Sequence, residues 1–152
     1  QRSLLLYVTA QTLGAALGVG LLMPVIADLS ISFPGHVSLA NGYGDHSPSR
    51  LGLLASLLSD TVLSFLLVLV TLGATDGRAP QRLAPLAAGF ILTSVCLAGL
   101  PLLGVPANPA LSTGAALSGG QSAWLALWVF WLAPLLGGLL AGKTYRQLGR
   151  ML

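Results

Sequence analysis

The chain has 152 residues, 55% of them hydrophobic and only 7% charged, where a soluble domain carries about 25% charged residues. That leaves too little polar surface to keep a globule in water, and a mean hydropathy of +0.85 points the same way, so most of this chain is expected to have lipid as its solvent. The net charge of +3 is not a nucleic-acid signal, because the charges mark the ends of apolar runs and form no basic patch with interleaved aromatics.

Spanning a hydrocarbon core of about 30 Å takes roughly 20 helical residues, and four runs come up to that length. The first covers 4–26; it starts too near Gln1, and is too long and glycine-patterned, for a signal peptide. A turn-rich stretch over 30–50 follows, with Phe33-Pro34-Gly35 and Asn41-Gly42-Tyr43-Gly44, and reads as a loop outside the lipid. It holds both histidines, His36 and His46, with only Asp45 adjacent, so exposed loop histidines are expected there and no metal site. The second run is 51–73, then a short basic connection over 75–82, then the third run at 83–103. The single cysteine, Cys96, lies inside that third run, which excludes a disulfide framework and a metal cluster. The segment 104–121 is weakly hydrophobic, rich in Gly, Ala, Ser and Thr, and carries Pro106 and Pro109. It is too long for a tight turn and too rich in small residues for an ordinary solvated loop. The fourth run is 124–142. Trp124, Trp128 and Trp131 share one helical face near its outer end, where lipid-facing interfacial anchors are expected.

Helices are expected in all four runs, although periodicity is a weak guide because a helix among lipid and protein can be apolar on every side. The fold class is therefore an all-α integral membrane protein with four transmembrane helices. Gly14-Ala15-Ala16-Leu17-Gly18 and Gly138-Leu139-Leu140-Ala141-Gly142 place small residues four apart, which permits close helix crossing; packing within one molecule is expected there. Orientation follows from the basic residues. Arg2, Arg78, Arg82, Lys143, Arg146 and Arg150 fall on one side and only Arg50 on the other, which places both termini and the 75–82 loop in the cytoplasm.

The unusual segment contains Asn108-Pro109-Ala110, followed by Ser112, Thr113 and Gly114. Set between two membrane runs, this resembles the second signature of the aquaporin, or major intrinsic protein, family. Tyr7-Val8-Thr9-Ala10-Gln11 with Gly14 is similar to that family's third membrane helix. Asn41 to Pro48 and Gly73-Ala74-Thr75-Asp76 look like loop signatures of its bacterial aquaporin Z branch. Trp128-Val129-Phe130-Trp131, Pro134, Gly137-Gly138 and Tyr145-Arg146 fit the branch's last helix. The resemblance implies a re-entrant loop and half-helix over about 104–118. It also implies that 1–152 is a partial domain, helices one and two and the first Asn-Pro-Ala loop being absent.

The chemistry implied is a donor site in mid-membrane. A half-helix aimed at the bilayer centre brings unpaired N–H groups and roughly half a positive charge there. Proline suits its first turn, and Asn108 can cap it while its amide donates to a passing oxygen, which orients water and repels cations. Asp60 is the only acid deep in an apolar run, so its partner should be protein. The family usually has glutamate there, bonded to the re-entrant backbone. Aspartate is a methylene shorter, which implies a weaker or water-bridged buttress and is preferred to a proton-carrier role. Aligned on the motif, the family's constriction positions hold Cys96, Val105 and Leu111 in place of a histidine, a third loop residue and an arginine, which argues against strict water selectivity. The resemblance thus implies a passive channel for water or small neutral solutes, in the bacterial inner membrane and tetrameric as an intact parent. Its partners are the bilayer and the solute, with no cofactor, no metal, no nucleic acid and no enzymatic constellation. The alternative from another class is a non-conducting membrane scaffold.

Overall fold

A computed structural model describes residues 2–32 and 40–151. Among these residues the regular structure is helical: α1 (Arg2–Ser32), α2 (Leu53–Ala74), α3 (Ala84–Leu103), the short α4 (Pro109–Ala116) and α5 (Gly120–Met151), with single 3-10 turns at Gly44–His46 and Gln81–Leu83. The four long helices are long and apolar enough to cross a membrane. Large hydrophobic side chains cover their outer faces, Leu21 at 79% and Leu97 at 72% exposure among them, as expected when lipid does the covering.

Two helices outrun the apolar runs that announced them. α1 continues to Ser32, because the first strong breaker after residue 26 is the Phe33-Pro34 pair. α5 begins at Gly120 and carries on through Lys143 and Arg146 to Met151. Hydropathy measures where lipid ends, and neither a glycine nor a lysine is enough to end a helix that is packed on a neighbour.

The main helix pair is α2 with α5; α2 also packs on α3, and α4 lies against α1 and α5. The α2 face toward α5 is a buried stripe of Ser56, Asp60 and Ser64, and α5 answers with the buried small residues Ala126, Ala133, Gly137 and Ala141 around Phe130. Any side chain at Gly137 would collide with the Thr61 carbonyl and the Phe65 backbone nitrogen, so backbones meet there. A second close approach sets Gly114 of α4 on the Ala15 backbone of α1, where an added Cβ would lie 2.7 Å from the Ala15 carbonyl carbon. The spaced glycine pairs are not the crossing points: nothing lies within 4 Å of a Cβ at Gly14, Gly18 or Gly142, and Gly138 meets only Val68 at 3.8 Å. Spacing defined the stripe, but the neighbouring helix sits one residue around the cylinder, at Ala15 and Gly137. Gly137→Ala is therefore expected to cost about 1–3 kcal/mol through overpacking, while Gly142→Ala stays within about 0.5 kcal/mol. Thermal unfolding in detergent micelles compares the two.

The stretch before α2 and the turn after it are both tied down. The 40–51 stretch crosses the end of α3, where the last carbonyls of a helix lack partners: Ser49 Oγ donates to Pro101 O at 2.6 Å and Ser47 Oγ to Leu102 O at 2.9 Å. Tyr43 and Leu51 pack on the core of Leu103, Ala126, Val129 and Phe130. At the opposite end Asp76 accepts from Arg78 N at 2.8 Å, Arg78 Nε at 3.0 Å and the Tyr145 hydroxyl, which latches α5 to the α2–α3 turn. The Arg78 guanidinium, and after it the Tyr145 hydroxyl, hold the Asp76 carboxyl below the ordinary carboxylate range. A depressed folded value means the latch is fully present above the unfolded value of about 3.9 and is lost only as pH falls below it. Limited proteolysis of the α2–α3 turn should show unchanged resistance down to about pH 4, and Asp76→Asn should be cut faster at neutral pH.

Candidate functional site

The site is a turn of five residues followed by two turns of helix. Gly104 adopts φ 89°, a left-handed conformation that costs glycine nothing, and brings the chain off α3 against Ala40. The Val105 peptide is then gripped on both sides by one side chain. Asn41 Nδ2 donates to Val105 O at 2.5 Å, and Val105 N donates to Asn41 Oδ1 at 3.2 Å. Asn41 is buried, so it serves as a fixed clamp that pairs a loop amide with a peptide. Pro106 packs against Gly99 of α3.

Ala107 has φ 51°, which costs a residue with a Cβ about 1–3 kcal/mol and persists only where the surroundings over-determine it. The surroundings do: fully buried Asp60 of α2 accepts from Ala107 N through Oδ1 at 2.7 Å. The shorter aspartate thus reaches the loop directly, with no bridging water needed for this contact, but with one oxygen only. Its Oδ2 has no partner among the described residues.

Asn108 follows as the N-cap of α4, its Oδ1 accepting from Leu111 N at 3.0 Å, with Pro109 in the first turn. Capping in this way satisfies one orphan donor of the helix and leaves Asn108 its amide nitrogen, which has no partner among the described residues. Asn108, Ala110 and Leu111 form one wall of a cavity of about 440 Å³, and Tyr7, Gln11 and Ala15 of α1 form the other. The cavity therefore meets a helix N-terminus, an uncommitted amide donor and an apolar leucine. That arrangement suits a small polar solute with a hydrogen-bond acceptor. No group of three His, Cys, Asp or Glu residues that could hold a metal occurs among the described residues. His46 is exposed, and His36 lies outside the described residues.

Residues 1–145 match the profile of the family described as Major intrinsic protein. The chain belongs to the major intrinsic protein family. It is 43% identical over 143 residues to the aquaporin Z of Rhodopseudomonas palustris, covering 93% of this chain and 59% of that relative. It is 42% identical, over the same shares, to the aquaporin Z of Bradyrhizobium diazoefficiens. The chain thus spans 59% of the length of these curated relatives. As a member of this family it is a multi-pass membrane protein with the family's all-α architecture.

Asn108, Ala110 and Leu111 come together on the cavity, while Pro109 is not among its lining residues. The other two positions expected at a constriction are not among the lining residues: Val105 is buried and bonded to Asn41, and Cys96 is half-buried on α3. Three residues with structural work at the site carry no label in sequence. Asn41 lies in a Gly-rich loop, where it reads as a turn former. Trp131 shares a face with Trp124 and Trp128, yet it is half-buried and its Nε1 donates to Thr113 Oγ1 at 3.0 Å. Its indole N–H is thus spent on α4, whereas Trp124 and Trp128 are exposed. Thr113 is a small residue among small residues, and its partner is 18 positions away.

Proposed function

We propose that this chain supplies one side of a passive channel for water or small neutral solutes, and not an enzyme. The observation that carries the reading is Asn108: it caps α4 through Oδ1 and keeps its amide donor free on a cavity walled by α1. A permeating water or alcohol gains an acceptor contact there without being held, because the rest of the wall is largely apolar and an adequate site must also release its ligand. In this reading Asn108, Pro109 and Ala110 form the pore motif and Asp60 is the buttress that sets their height. Leu111 lines the constriction, and neither Val105 nor Cys96 is among the lining residues. The expected setting is the bacterial inner membrane with both termini cytoplasmic, supported by the six-to-one split of basic residues. The aquaporin Z names of the relatives support water as a permeant and, by family habit, a homotetramer of independent pores.

Stopped-flow shrinkage of vesicles tests this. The complete channel that includes this chain should accelerate water efflux well above protein-free vesicles, and the 152-residue chain alone should not, since among the described residues the cavity is walled by α1 and α4 alone. Absence of flux in the complete protein, folded and inserted, would favour the scaffold reading instead.

A further inference from the structure

We propose that Trp131 is a positioning residue for the cavity end of α4, acting through Thr113: the indole on α5 sets how far the half-helix, and with it Asn108 and Leu111, stands from α1. The inference rests on the reading of that cavity as the permeation path. Two hydrogen bonds run in series. Trp131 Nε1 donates to Thr113 Oγ1 at 3.0 Å, and Thr113 Oγ1 donates to Pro109 O at 2.7 Å. A hydroxyl has one proton and two lone pairs, so the order is determined: the proton goes to Pro109, a lone pair takes the indole N–H, and each bond polarises the next. The relay ends on the residue that follows Asn108 and lies two before Leu111.

The rest of the packing shows why such a strut matters. α4 has eight residues, too few to hold itself in place by helix formation alone. On its α1 side it is stopped by backbone, Gly114 against Ala15. Before it, the loop is held by the Asn41 clamp on Val105 and by the hydrogen bond that Ala107 N donates to Asp60. These contacts hold the loop and the α1 side, and a rotation of the helix beyond Ala107 would swing Leu111 across the cavity. Against that rotation α4 packs on α5, and the Trp131 relay is the side-chain hydrogen bond that joins the two helices among the described residues. Trp124 and Trp128, on the same face, are 47% and 51% exposed, whereas Trp131 is half-buried and spends its one polar atom on α4. A buried indole N–H normally finds a partner; here that partner belongs to the site.

The test uses the complete channel in vesicles, reading the glycerol-to-water permeability ratio, with thermal unfolding in detergent alongside. Thr113→Val keeps the branched shape and removes the hydroxyl, Trp131→Phe keeps a ring and removes the N–H, and Thr113→Ser keeps the relay. The first two should shift the ratio in the same direction by about two- to tenfold, the range one net hydrogen bond spans. Thr113→Ser should retain the original ratio, and the Val/Phe double variant should match the single ones, because each breaks the same relay. An unchanged ratio in both single variants, or additive shifts in the double, overturns the proposal. If the unsubstituted protein carries no flux, the channel reading itself fails, and unfolding then decides the relay: non-additive losses in the double variant support it and additive losses overturn it.

Discussion

Asp60→Leu is expected to reduce solute flux through the complete channel roughly a hundredfold, while Asp60→Asn keeps most of it. The leucine removes the acceptor of the Ala107 N–H, and an orphaned buried donor costs about 1–3 kcal/mol. It also removes what holds Ala107 at φ 51°, a conformation that itself stores about 1–3 kcal/mol. The turn is then expected to relax and carry Asn108 off the cavity wall; a displacement worth about 2.7 kcal/mol is a factor of roughly a hundred. Asparagine keeps Oδ1 in place for Ala107. It puts an amide where Oδ2 has no partner among the described residues, and a neutral group is cheaper to bury than a charge. Stopped-flow water permeability of the two variants, normalised to inserted protein, separates the roles. Equal loss in both would mean that the negative charge, and not the hydrogen bond to Ala107, is what the site uses.

Leu111→Arg is the second large effect: glycerol permeability should fall roughly five- to a hundredfold while water permeability is retained. Leu111 is 38% exposed and lines the cavity beside Asn108. A leucine there gives the alkyl face of a polyol a surface to slide along and gives water no donor. An arginine reverses both: it narrows the passage and supplies five donors in a fixed fork. A polyol whose alkyl face meets the guanidinium in the narrowed passage leaves polar groups unmatched, at about 1–3 kcal/mol each, which is the fold-range stated. Glycerol and water fluxes measured on the same vesicles give the ratio. Glycerol flux equal in both proteins would show that the wall at Leu111 does not set selectivity.

These two residues also show how far the sequence reaches. Asp60 announced itself as the one acid in an apolar run, and its direct bond to the loop backbone is what a buried carboxylate needs. What the side chain could not disclose was that only one oxygen would be used, since that depends on how closely α2 approaches a turn 47 residues away in the chain. Leu111 was placed by its distance from the Asn-Pro-Ala motif, and it does line the cavity. Cys96 and Val105 were placed by the same alignment, yet neither is among the lining residues. A position in an alignment carries no information about which way the backbone of this chain turns at Gly104.

Local chemistry is what the sequence by itself determined. Long apolar runs with few charges must satisfy their backbone hydrogen bonds internally, which makes them helices whatever their neighbours. Proline after asparagine starts a helix with a capped end, for reasons contained in those residues. The tertiary structure alone decided which small residues carry the crossings, Ala15 with Gly114 and Gly137 with α2, in place of the regularly spaced glycines. It also decided that Asn41 grips Val105, and that one of three tryptophans on a face turns its N–H inward to Thr113. In each case the helix exists without the contact, so no local preference encodes it. The partner is far along the chain and is selected only when two rigid surfaces meet, because the rotation of one helix about its axis against another is set by the packing of both.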